Sequence, residues 1–244
     1  MIPTAQRNTR QSGAGLKILS AGSTLYGLRG CAEMFGRERG IPVQVATDHG
    51  HHIHQAALRG EADADVVLLP ADMTAALAAA GVADDGTKVA IGSVRIGAAV
   101  HADAPVPDVS TVAALRNALL AADAVLLTRA PTGDHLLQAI ARVGVAEVIA
   151  DKLQRFDTST LLNRHLADRA DMTAAIGFGP ATEIKSWHGK GVVYAGAIPD
   201  EMQIVLPYGA AVLRRTQERE LAHALLAFLA TPAAREQFLA SGVE

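Results

Sequence analysis

The chain has 244 residues, half of them hydrophobic, 19% charged and 4% aromatic, with a formal net charge of −3. That length and apolar content allow one large or two small domains around a real core and exclude an intrinsically disordered chain. The mild acidity, with no cluster of Lys and Arg interleaved with aromatics, argues against nucleic acid as a partner.

Residues 1–15 are polar and are expected to form a flexible tail. They lack the apolar core of a secretion signal, and no run of about 18 apolar residues follows that could insert in a membrane. The expectation is a cytoplasmic protein as written, or a periplasmic one if a leader has been removed. The lone Cys31 allows no internal disulfide and reads as buried filler on a helix.

From Leu16 to Gly30 the pattern runs strand, tight Ala-Gly-Ser loop, helix. Ser23 or Thr24 is placed to cap that helix with its hydroxyl, and the free N–H groups of the first turn would attract an anion. A helix follows to Gly40, then a strand from Ile41 to Ala46, and a helix capped by Asp48 and ending at Gly60. Asp65 to Leu69 is a short continuous apolar run, the mark of a strand buried on both faces. A helix from Ala71 to Ala80 ends at Gly81. Alternating strands and helices with short links define an α/β fold with mostly parallel sheets.

Lys88 to Val100 is β-prone and too long for one lobe, so it is read as a strand crossing into a second lobe. There, a helix from Ser110 or Thr111, a strand at Ala124 to Thr128, a helix after Pro131-Thr132-Gly133, a helix from Asp157-Thr158-Ser159-Thr160 and strands at Met172 to Phe178 and Val192 to Tyr194 are expected. Met202 to Leu213 is read as the strand crossing back. Two helices close the chain, the second with Thr231 as N-cap and Pro232 in its first turn. The expected architecture is a two-lobed clamp, with residues 16–94 and 203–244 as lobe 1, 95–202 as lobe 2, and two crossing strands as the hinge. Ligands in such sheets bind beyond the C-terminal ends of strands, here in the cleft.

Four loops are expected to face that cleft: Gly22-Ser23-Thr24, Asp48 to His52, Ala130 to Gly133, and Asp157 to Thr160. Small residues, hydroxyls and backbone donors from both lobes suit an oxyanion or a carboxylate. No Gly-Lys-Ser/Thr follows a Gly-rich run, which disfavours nucleotides, and no Gly-x-Ser-x-Gly elbow supports a serine nucleophile.

The order of ILSAGSTL, IPVQVAT, ALRGEADADVVLLP, AAAGV, APVPDVSTVAALRNALLAA, APTG, AAIGFGPATEI, GAIPDEMQIVLPYGAAV and FLATPAAREQFLASGVE resembles the two-lobed (type II) periplasmic solute-binding proteins, in their molybdate-binding-protein-like branch. The PDVST, IGF and PDEMQ segments are most similar to a subgroup that includes leaderless proteins and the aconitate isomerases. The resemblance implies an anion held by loop hydroxyls and N–H groups, a permease of the ABC type as partner if the chain is exported, a monomer, and neither cofactor nor metal. Carried over, Ser23 matches the first-loop serine, His51 falls at the second-loop serine, Ala130 to Gly133 match the third loop, Thr160 the fourth, and Phe178 a position that often carries Tyr. An imidazole in place of a serine fits an organic carboxylate better than molybdate.

The candidate ligand-binding residues are thus Ser23, Thr24, His51, Arg95, Arg129, Thr132, Gly133, Thr160 and Phe178. Arg95 and Arg129 could each grip a carboxylate with two hydrogen bonds, or form an interlobe salt bridge and a solvated charge respectively. Among His49, His51, His52 and His54 the readings are a solvated helix start, a metal pair, or an anion donor and proton-transfer group. Glu183 matches an acidic residue of the resembled subgroup, while its first-turn placement reads as stabilising the helix dipole, and Asp134 would repel a highly charged ligand unless it points away. Two functions follow: binding of a small organic polycarboxylate as a transporter-type solute-binding protein, or isomerisation of an aconitate-like acid by a 1,3-proton shift, with His51 or His52 as the catalytic group.

Overall fold

In the computed structural model, residues 15–129, 131–168 and 174–244 are described. The expected tail over residues 1–15 lies outside them except for Gly15, as do Ala130 of the third loop and Met172 at the start of one expected strand.

β1 (Leu16–Ala21) buries Leu16 and Ile18 while Lys17 faces outward. α1 (Leu25–Arg39) follows and stops at Gly40, whose left-handed φ of 64° lets its N–H close the last turn onto Gly36. β2 (Val43–Asp48), α2 (Gly50–Leu58), β3 (Val66–Pro70) and α3 (Ala71–Ala79) continue the alternation. β1 lies parallel to both β2 and β3. Val66 to Leu69 are fully buried, as a strand covered on both faces requires.

β4 (Val89–His101) is the long strand expected from sequence. Its partner changes between Arg95 and Ile96, and it bulges at Gly92, where φ is 139°. Beyond it come α4 (Val112–Ala121), capped by Thr111, then β5 (Ala124–Thr128), α5 (Pro131–Arg142) and α6 (Ala146–Ile149). Next are β6 (Leu153–Phe156), α7 (Ser159–Ala167) capped by Thr158, β7 (Ala175–Pro180), α8 (Ala181–Lys185) and β8 (Val192–Ala197). β9 (Val205–Val212), α9 (Arg219–Leu229) and α10 (Pro232–Ser241), capped by Thr231, complete lobe 1.

The strands form one mixed, nine-stranded sheet in the order β2-β1-β3-β9-β4-β7-β5-β6, with β8 also on β4. β5 is parallel to β6 and β7, whereas β9 is antiparallel to β3 and β4. Two lobes therefore share a single strand, β4. The chain returns differently from expectation: Asp200–Met202 is a 3-10 turn, and β9 begins only at Val205, already beside lobe 1. The return is fixed by a side chain instead. The Gln203 amide accepts from the N–H of Ile96 at 2.6 Å and donates to the carbonyls of Ile96 and Ile198, each at 3.1 Å.

Lobe 1 has one core built on Leu16, Phe35, Leu68 and Phe238. Lobe 2 has two, one on each face of its sheet, centred on Leu115, Ile140 and Phe178 and on Leu126, Leu162 and Ile184. Cys31 is fully buried, with its Sγ 3.6 Å from the carbonyl of Ala234.

Candidate functional site

Between β1 and α1 the chain makes one 3-10 turn, Gly22–Thr24. Neither Ser23 nor Thr24 caps the helix through its side chain, contrary to the sequence reading. The Thr24 hydroxyl is buried in lobe 1, 3.1 Å from the Ser20 hydroxyl. The Ser23 hydroxyl turns the other way and donates across the interlobe seam to Oε1 of Glu183 at 2.8 Å.

Glu183 stands in the first turn of α8, directly after β7. Its residue is partly exposed, yet its carboxyl is drawn into the seam, and a Cβ placed on Gly22 would lie 3.4 Å from Oε1. Burial raises the carboxyl above its ordinary range, opposed by the Ser23 hydrogen bond, by the nearby Ser159 hydroxyl and by the field of His49. From β9, the buried Tyr208 reaches the same point. Its phenol is pushed up by burial and by the charges of Glu183 and Asp72, while the nearby Ser23 hydroxyl acts in the opposite sense. Ser23, Glu183, Ser159 and Tyr208 thus form a polar knot contributed by both lobes.

The other expected residues fall at varied distances from this knot. Ser159 is buried and Thr160 exposed, so the fourth loop presents the residue before the expected one. A Cβ on Gly179 would meet the Ser159 hydroxyl at 3.3 Å, and Gly179 joins Ile96, Thr132, Gly133, Leu136 and Phe178 around a gap too tight for a water molecule. Phe178 is a core residue, 2% exposed. Gly133 approaches β5 so closely that a Cβ there would lie 2.0 Å from the carbonyl oxygen of Thr128. Asp134 does not threaten an anion, because Arg155 holds its carboxylate and also donates to the Thr128 carbonyl.

Arg95 is bound at the hinge to Asp200 of its own lobe, and its guanidinium also lies 3.9 Å from the Glu244 side chain of lobe 1, so it is engaged by carboxylates of the protein itself. Arg129 is exposed and pairs with Asp157 at 3.1 Å. His51 and His52 are both exposed at the start of α2. Asp48 accepts from the His49 N–H at 2.7 Å and lies 3.3 Å from Nδ1 of His52, rather than capping the helix. The rings of His49 and His52 meet edge to face at 5.3 Å. Among the described residues no three His, Cys, Asp or Glu side chains converge on a point that could hold a metal. An open groove of about 580 Å³ between α1 and β2 lies at the far edge of the sheet, away from the seam.

Residues 16–244 match the sequence pattern of the bacterial extracellular solute-binding proteins. The chain belongs to that family. Among curated proteins it is similar to the aconitate isomerase of a Pseudomonas species, 27% identical over 241 residues, covering 94% of this chain and 87% of that one. Among solved structures it resembles the Azotobacter vinelandii periplasmic molybdate-binding protein, with a TM-score of 0.75, 16% identity, and coverage of 94% and 98%. It also resembles Campylobacter jejuni PEB3 with bound L-phospholactate, with a TM-score of 0.69, 14% identity, and coverage of 93% and 98%. These likenesses bear out the two-lobed fold and the family resemblance of the nine ordered segments.

The chain puts Ser23 at the seam between the lobes, against Glu183. In the sequence Glu183 is legible as a first-turn acid that matches an acidic residue of the subgroup. Its position immediately past the Gly179-Pro180 end of a buried strand is the signal that points it at the cleft. Tyr208, one polar ring in the small-residue run Tyr208-Gly209-Ala210-Ala211, carries no local pattern that marks it for a site.

Proposed function

We propose that the protein closes its two lobes on a small organic acid bearing more than one carboxylate. The observation that carries this reading is the hydrogen bond from Ser23 to Glu183: the first-loop hydroxyl already holds a carboxyl group. A ligand carboxylate entering as the lobes part would replace Glu183 on that donor. A compact, highly charged oxyanion would instead meet the Glu183 carboxyl at close range, while the two expected arginine clamps are engaged by Asp200 and Asp157. A carboxylic acid presents carbon as well as oxygen, and the raised Glu183, when protonated, can donate to it. The same fold holds a small organic anion in PEB3, whose L-phospholactate carries one carboxylate and one phosphate.

A second reading, isomerisation of an aconitate-like tricarboxylate by a 1,3-proton shift, is supported by the Pseudomonas aconitate isomerase, which aligns with 94% of this chain. The test is a thermal-shift titration with cis-aconitate, trans-aconitate, citrate, sulfate and molybdate, followed by proton NMR of the aconitates in deuterated water. Stabilisation by a polycarboxylate and not by molybdate is expected. A larger stabilisation by molybdate would overturn the organic-acid reading. Interconversion of the two aconitates separates the enzyme from a protein that only binds, for which a permease is the natural partner.

A further inference from the structure

We propose that Glu183 is the catalytic residue that carries the proton in this cleft, an inference that rests on the isomerase reading above. The carboxyl stands on the lobe 2 wall, facing the Ser23 hydroxyl of lobe 1 at 2.8 Å, with Ser159 and Tyr208 beside it. A substrate carboxylate that takes over Ser23 leaves Glu183 without that partner and directed at the carbon skeleton between the lobes. The histidines expected in this role from sequence are placed less well, since His51 and His52 point into solvent.

In the step, a Glu183 carboxylate oxygen takes a proton from the substrate methylene. The C–H bond breaks, and its electron pair spreads over the three-carbon allylic system and the flanking carboxylates. Glu183 then gives a proton, the one it took or one exchanged on its carboxyl with solvent, to the far carbon of the former double bond, forming a new C–H bond and shifting the double bond by one position. Glu183 ends as the carboxylate it began as, and no co-reactant is consumed. The environment suits the task, because a carboxyl raised by burial is a stronger base towards a carbon acid than one in water. The titratable groups facing it are His49 from the start of α2 and Tyr208 from β9, with Asp72 behind Tyr208. Lys185, on the same helix, sits 5.1 Å over the Tyr194 ring.

Glu183→Gln keeps an oxygen to accept from Ser23 but cannot take a proton, so it separates a proton carrier from an interlobe latch. With trans-aconitate as the probe, the variant is expected to keep its thermal stabilisation within a few-fold of wild type and to lose interconversion and deuterium uptake by about a thousandfold. Glu183→Asp should recover part of the rate. In the wild type, kcat/KM should rise with pH through a single ionisation above the ordinary carboxylate range. Turnover by Glu183→Gln within tenfold of wild type would overturn the inference and leave the isomerase reading standing. A wild type that is stabilised by trans-aconitate yet neither interconverts it nor exchanges deuterium would overturn both.

Discussion

Gln203 holds both backbone groups of Ile96, the residue at which β4 passes from one lobe to the other. A side-chain amide thus completes the hinge where a second crossing strand would have paired. Gln203→Ala removes these bonds and the one to Ile198, leaving part-buried backbone groups unpaired. A loss of about 1–3 kcal/mol is expected, read as a lower midpoint in urea unfolding. An unchanged midpoint would show that water replaces the amide there at no cost.

Gly133 tests the packing of α5 on β5. An alanine methyl would fall 2.0 Å from the Thr128 carbonyl oxygen, a backbone atom that cannot swing aside. Gly133→Ala should cost about 1–3 kcal/mol or more through overpacking. Near-wild-type stability would mean the helix start can shift freely.

Burial also gives the protein a pH signature. The Glu183 carboxyl titrates above its reference value of 4.5 in the folded chain. Below that reference value the group is neutral in both folded and unfolded states. As pH rises towards the folded value, the unfolded chain loses its proton first, so stability falls. Thermal melts across this window should show wild type losing stability relative to Glu183→Gln with rising pH. A constant difference between the two would contradict a raised carboxyl.

Cys31 should be inert while the protein is folded. Its thiol is pushed up to about 12 by burial, and no part of it is exposed. Ellman's reagent is expected to react only after denaturant is added. Rapid labelling in buffer alone would indicate that α1 and α10 separate readily.

Much of the fold was written plainly in the chain. The continuous apolar runs at Val66 and Ala124 can be buried only as two-sided strands, and Thr111 and Thr231 cap the helices their positions imply. β6 escaped notice because Leu153-Gln154-Arg155-Phe156 is a short, half-buried edge strand with no apolar run to mark it. Within the site, Ser23 and Glu183 are each legible in the sequence, but their pairing is not. Whether a hydroxyl caps its own helix or reaches across a cleft depends on what the other lobe presents, and no local pattern records that. In the fourth loop the buried hydroxyl is Ser159 and the exposed one Thr160. A shift of one residue along a helix turns a side chain by about 100°, enough to exchange an inward face for an outward one.

The strand shared by both lobes has a thermodynamic consequence. β4 zips to β9 along its first half and to β7 and β8 along its second, so neither half of the molecule can unravel without stripping a neighbour from the other. The lobes are not beads on a string but two leaves of one spring. Opening must be taken up as twist along that strand, and heating should melt both leaves in one calorimetric transition.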